Sequence, residues 1–181
     1  QSGRWFGNIK RYALQNDGTL IDAKNENATT ADGLIKDNAL SWWTALGNDG
    51  PAVEKGGAAE ALSLQIEGGT ARKVYTYTGQ PLLTDSSNAF VSTSVREGVF
   101  GDIIHSEPAV VVYETKTVIY VGANDGLLHC IDDANGQELW SFIPPEHIGR
   151  LWRMNDADHD YFVDGSPTVH YGGAGQKILV I

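Results

Sequence analysis

Cysteine and methionine are the scarcest residues of this 181-residue chain, with one of each. A lone Cys130 excludes an internal disulfide and any Cys-x-x-Cys metal or redox motif. Cationic side chains are also few. Thirteen Lys and Arg stand against 23 Asp and Glu, a net charge of −10. That balance argues against a nucleic-acid groove, which needs a Lys/Arg surplus on one face. Long apolar runs are missing as well, and Ala109 to Tyr113 is far too short to span a bilayer. No basic-then-apolar leader stands at Gln1, so a leader is either not needed or already removed. What is left is 41% hydrophobic, enough for a packed core, in a length that suits one domain or part of a larger one.

Glycine is abundant, with 21 residues set between short β-prone runs, which is the punctuation of an all-β protein. The clearest stretch is 106–143. Four runs follow one another there: Ala109 to Tyr113, Thr117 to Gly122, Leu127 to Asp132 and Glu138 to Ile143. Glu114-Thr115-Lys116 separates the first pair. Asp125-Gly126 and Asn135-Gly136 supply the φ > 0 positions that tight hairpins need. Pro144-Pro145 stops the last run. Four short strands in so few residues match one propeller blade.

The blade repeats. SEPAVVVYETKTVIYVG (106–122) returns as GSPTVHYGGAGQKILVI (165–181), with Pro108 on Pro167 and Val110 on Val169. GNIKRYALQNDGTLID (7–22) lies over GLLHCIDDANGQELW (126–140), with Ile9 on Leu128 and Tyr12 on Ile131. The chain therefore reads as the second half of one blade, a full blade, and the first half of another. Leu62 to Ile66 and Arg72 to Thr78 are further strand candidates. These are too few for a closed ring of four to eight blades. Residues 1–181 are read as a single, partial propeller, a piece of a larger one. Between 28 and 60 the pattern is not strand-like, and Gly56 to Leu62 predicts a short helix rich in Ala.

Six segments occur in order: GRWFGNIKRYAL, GGAAEAL, RKVYTYTG, GDIIHSEPAVV, YVGANDGLLHCIDDANGQELWSFIPP and HDYFVDGSPTV. Together they resemble the C-terminal β-propeller domain of the type IV pilus tip-associated adhesins, the PilY family. The second-last segment also resembles the general quinoprotein-type blade. The resemblance implies an all-β, quinoprotein-like propeller, here incomplete. It implies an exported protein at the pilus tip or outer cell surface of a bacterium. Its partners would be minor pilins and pilus tip proteins, the rest of the same propeller, and a host or surface ligand. Such proteins promote pilus assembly, counter retraction and contribute to adhesion and twitching motility, with calcium as a regulator in some members. One departure stands out. The family has a longer, partly helical stretch before its GDIIHS-like motif, where this chain has only Gln80 to Phe100.

The acidic segment at 156–164 is the candidate metal site. Asp156, Asp158, Asp160 and Asp164 occupy loop positions 1, 3, 5 and 9, with the Phe162 carbonyl at 7. Calcium takes six to eight hard oxygens, which alternating aspartates on a tight loop can supply. Two features oppose it: Tyr161 stands where an EF-type loop needs Gly, and Pro167 where it needs a bidentate Glu. The bland reading is a solvated loop closed by an Asp164-Gly165 turn.

Asp102, His105 and Ser106 suggest a catalytic triad and are discounted. Neighbours on an extended chain point to opposite faces. A quinoprotein-type dehydrogenase is the enzyme alternative. That class resembles a closed ring with a vicinal cysteine pair, and Cys130 has no second cysteine beside it. No quinone is therefore expected, and a shared fold does not transfer chemistry. An outer-membrane assembly propeller sharing only the blade is a third reading. Trp140 is expected to pack against a neighbouring blade, and His129 to be a satisfied core histidine.

Overall fold

The computed structural model describes residues 5–77, 83–84, 100–155 and 158–181. Mostly β structure emerges, with ten strands among the described residues. The strands are β1 (Ala13–Leu14), β2 (Leu20–Ile21), β3 (Val74–Thr76), β4 (Leu83–Thr84) and β5 (Ala109–Val112). They continue as β6 (Thr117–Gly122), β7 (Leu128–Asp132), β8 (Glu138–Ile143), β9 (Thr168–Tyr171) and β10 (Lys177–Val180). Two helices, α1 (Gly57–Glu67) and the short α2 (Pro145–Ile148), complete the regular elements apart from 3₁₀ turns.

The four runs read at 106–143 form an antiparallel meander, β5 to β8. Gly126 at φ 85° and Gly136 at φ 72° take the left-handed conformation that its turns require. The sequence did not foresee how this meander continues. β3 adds to the outer side of β8 in parallel, pairing Val74 with Ser141 and Thr76 with Ile143, and β4 adds to β3. The result is a six-stranded sheet in the order β4-β3-β8-β7-β6-β5. The candidate strand at Arg72 to Thr78 is thus confirmed in its centre. No closed ring of blades forms among the described residues.

Leu62 to Ile66, the other strand candidate, is helical. The helix read at Gly56 to Leu62 runs on to Glu67, because GAAEALSLQIE holds good helix formers and puts Ala58, Ala61 and Leu62 on one buried face. Its first amides find partners outside the helix. Gly57 donates to Thr44 Oγ1, Ala58 to the Ile9 carbonyl and Ala59 to Asn8 Oδ1.

The sheet is covered on both faces. One side joins Ile119, Val121 and Ile131 to Ala58, Leu62 and Phe100, with Ile9 and Trp43 against them. The other joins Val111, Val118, Tyr120, Leu128 and Cys130 to Val163, with Val169 and Leu179 of the β9–β10 hairpin against them. That hairpin is the predicted repeat of β5–β6, antiparallel with Ile178 opposite His170. At the other end the repeat is weaker than its sequence suggested. Only Ala13–Leu14 and Leu20–Ile21 pair around the Asp17-Gly18 turn, and residues 7–12 form no strand.

Candidate functional site

Three of the recognisable motifs, separated in sequence, meet at one end of the sheet. GDIIHS supplies Gly101 to Ser106, GANDG supplies Gly122 to Gly126, and HDYFVDGSP supplies His159 to Pro167. Their backbones touch. A Cβ on Gly101 would lie 2.3 Å from the Asp125 amide nitrogen, and one on Gly122 would lie 2.3 Å from the Val163 carbonyl oxygen. Glycine is required at both because another backbone occupies the space of a side chain.

Polar side chains tie these segments together. Asn124 donates its backbone N–H to the Asp102 carbonyl at 3.0 Å and its Nδ2 to the Asp102 carboxylate at 2.8 Å. Asn124 Oδ1 accepts the Phe162 N–H at 3.1 Å. His159 Nε2 sits 3.0 Å from the same Asp102 carboxylate, with the Trp5 ring 4.3 Å from its own. His105 pairs with Asp164. Ser166 Oγ accepts the Glu107 N–H at 2.9 Å, and Ser106 Oγ accepts the Gly122 N–H at 3.0 Å. Asp102, His105 and Ser106 therefore turn to different partners rather than to one another.

A second network lies directly beneath, inside the sheet. His129 is fully buried, with Nδ1 2.7 Å from Glu138 Oε2 and Nε2 3.1 Å from Asp125 Oδ2. Arg72 grips Glu138 in bidentate fashion at 2.8 and 2.6 Å. Phe100 stacks on the His129 ring at 4.3 Å, and Asp125 Oδ2 also accepts the Gly101 N–H at 3.2 Å. Burial alone would push the His129 pKa down. The Asp125 and Glu138 carboxylates outweigh it and hold the imidazole at about 9. Burial likewise opposes the Glu138 charge, and the hydrogen bonds from His129 and Arg72 hold its carboxyl down at about 2. His129 is a satisfied core histidine, as expected, but a charged one. Alternation of His129 with Leu127 and Ile131 marked burial. Nothing local marked Arg72, 66 residues before Glu138, as the cation that neutralises that carboxylate.

The four candidate calcium ligands fare differently from one another. Asp156 lies outside the described residues. Asp158 is exposed. Asp160 faces Arg150 and Arg153, each at 3.2 Å, and caps the Tyr161 N–H at 2.9 Å. Asp164 is engaged by His105. Among the described residues no group of three or more His, Cys, Asp or Glu could hold a metal ion.

Cys130 is buried, and burial pushes its thiol up to about 12, which keeps it protonated at neutral pH. Trp140 is half-buried and lines an apolar groove of about 540 Å³ with Tyr75, Leu128, Phe142, Leu179 and Ile181. No helix among the described residues is long and apolar enough to cross a membrane.

Comparison with known proteins finds no matching family model and no matching solved structure. Curated relatives do match. A type IV pilus biogenesis factor PilY1 homolog of Xylella fastidiosa is 33% identical over 101 residues, 41% of this chain and 8% of the relative. Type IV pilus biogenesis factor PilY1 of Pseudomonas aeruginosa strain PAO1 is 31% identical over 118 residues, 47% of this chain and 10% of the relative. Another Xylella fastidiosa homolog is 38% identical over 68 residues, 34% of this chain and 4% of the relative. The resemblance read from the motifs is thus matched by similarity to PilY1 biogenesis factors over part of this chain, and the matched segments span a tenth or less of the length of these relatives.

Proposed function

We propose that the chain is a non-enzymatic module of type IV pilus biogenesis. It belongs to an exported, pilus tip-associated adhesin and supports pilus assembly, twitching motility and surface attachment. The observation that carries this reading is the similarity to PilY1 biogenesis factors. The polar end of the sheet supports a binding role over a catalytic one, because its carboxylates, hydroxyls and histidines serve to join loops. Minor pilins and other tip proteins are the proposed partners, with adhesion to a host or surface ligand belonging to the whole protein.

A quinoprotein-like propeller is the proposed architecture. The meander β5–β8 would be one blade. The β9–β10 hairpin, which repeats β5–β6 in sequence and packs on the meander through Val169 and Leu179, would open the next. The Trp140 groove would then lie between blades. Calcium is proposed for the acidic loop from its sequence spacing. Calorimetric titration of the chain, with Asp156→Ala and Asp158→Ala controls, tests that ion, and heat equal to the controls ends the idea.

Deleting the segment from its gene in the encoding bacterium tests the main reading. Loss of surface pili and of twitching zones is expected. Normal piliation and twitching would overturn it.

A further inference from the structure

Lys10 reaches into the bend at residues 49–56. Its Nζ donates to the carbonyl oxygens of Asp49 at 3.1 Å, Gly50 at 2.7 Å and Ala52 at 2.7 Å. Asp49 Oδ2 lies 2.9 Å from the same nitrogen. An ammonium carries three N–H bonds, and here four oxygens converge on it. The side chains are 14% and 1% exposed. Asp49 is itself fixed, accepting the Ser41 N–H at 2.7 Å and the Ser41 hydroxyl at 2.8 Å. Two residues away, Asn8 Nδ2 donates to the carbonyls of Val53, Lys55 and Gly56. Six carbonyls of one short loop thus point at donors supplied by residues 8 and 10.

A loop in which most carbonyls turn toward donors on one side is the arrangement that a bound cation normally organises. The oxygen distances here are those of N–H···O bonds, longer than the 2.3–2.6 Å that calcium takes. We propose that residues 49–56 form a cation site sized for an ammonium group, which Lys10 occupies from within the chain. Its ligand class, once the lysine is removed, is a primary alkylammonium, or a monovalent ion of similar radius. The loop also walls a pocket between Phe6, Leu46, Val53 and Phe100, so the tethered cation sets the shape of that wall without any free metal.

Lys10→Ala removes a propylammonium's worth of side chain. Cleavage after the exposed Glu54 by a glutamate-specific protease reads the order of the loop. Wild-type cleavage should be unchanged by a chelator. The variant should be cut faster by roughly tenfold or more, as local opening grows when a buried carboxylate loses its partner. Propylammonium chloride should slow cleavage of the variant, and tetramethylammonium chloride at equal ionic strength, having no N–H, should not. Equal cleavage of variant and wild type, or equal effects of the two salts, would overturn the proposal. If the variant does not fold, its refolding yield in the two salts decides: recovery in propylammonium alone supports the site, and no difference overturns it.

Discussion

The sheet β5–β8 and the segment 15–56 solve the same problem by different means. Both must pair their buried backbone N–H and C=O groups. The sheet does so strand to strand, and its side chains are free to be apolar: Val111, Val118, Val121, Leu128 and Ile131 are all buried. The segment 15–56 has only the short strand β2 and isolated bridges, so it relies on backbone turn bonds such as Ala23 N–H to the Leu40 carbonyl and Lys36 N–H to the Ala28 carbonyl, with side chains pairing groups that these leave. Asp22 accepts the N–H groups of Lys24, Glu26 and Leu40, and Asn27 accepts that of Thr29. Lys24 and Lys36 close carbonyls at 2.6 Å. Polar side chains that leave 28–60 without a strand pattern thus add to the turn bonds that hold it.

Trp43 joins the two regions. Its indole donates to the Asp133 carbonyl at 2.9 Å, and its ring lies on Gly136 in the β7–β8 turn. Its own backbone sits at φ 77°, a conformation rare for a bulky residue and sustained by this contact.

If the comparison is right, substitutions should rank by which kind of support they remove. Glu138→Ala strands two buried cations and should cost about 3–5 kcal/mol in urea unfolding. Gly136→Ala, at φ 72° with a new Cβ about 2.6 Å from the Trp43 ring, should cost about 1–3 kcal/mol. It should also shift the tryptophan fluorescence. Asp22→Ala should cost about 1–2 kcal/mol, because three backbone donors lose one acceptor group. Its hydrogen exchange should rise at 24, 26 and 40 while the sheet stays protected, and a global loss of protection would erase the distinction between the regions. Val112→Thr on the exposed edge should change stability by less than about 0.5 kcal/mol.

The buried network adds a pH test. His129 is raised from 6.5 to about 9, so its contribution is complete below pH 6.5 and is lost as pH rises through 9. Glu138 is lowered from 4.5 to about 2, so its contribution is complete above pH 4.5 and is lost as pH falls toward 2. Thermal unfolding should show a plateau between these limits, and His129→Gln should flatten the alkaline limb. An unchanged limb would mean that the imidazole is not charged in the folded chain.

Much of the sheet was legible because its signals are local. Short β-prone runs and the Asp-Gly and Asn-Gly pairs marked the four strands nearly to the residue. Leu62 to Ile66 (LSLQI) misled because five residues of apolar–polar alternation carry the period of a strand, and the buried face of α1 settled it. The polar end was legible only as motifs. That Asp102 would take His159 rather than His105 has no local sign.

By itself, the sequence determined the β class, the meander of residues 106–143, its repeat near 168–180 and the likeness to the PilY family. Periodicity and turn chemistry act between near neighbours, so they survive in a linear reading. The tertiary structure alone decided the parallel docking of β3 on β8, the Arg72–Glu138–His129 network and the filling of the 49–56 loop by Lys10. Each joins groups tens of residues apart, and a buried charge can be neutralised only by whatever the folded chain brings within hydrogen-bonding reach.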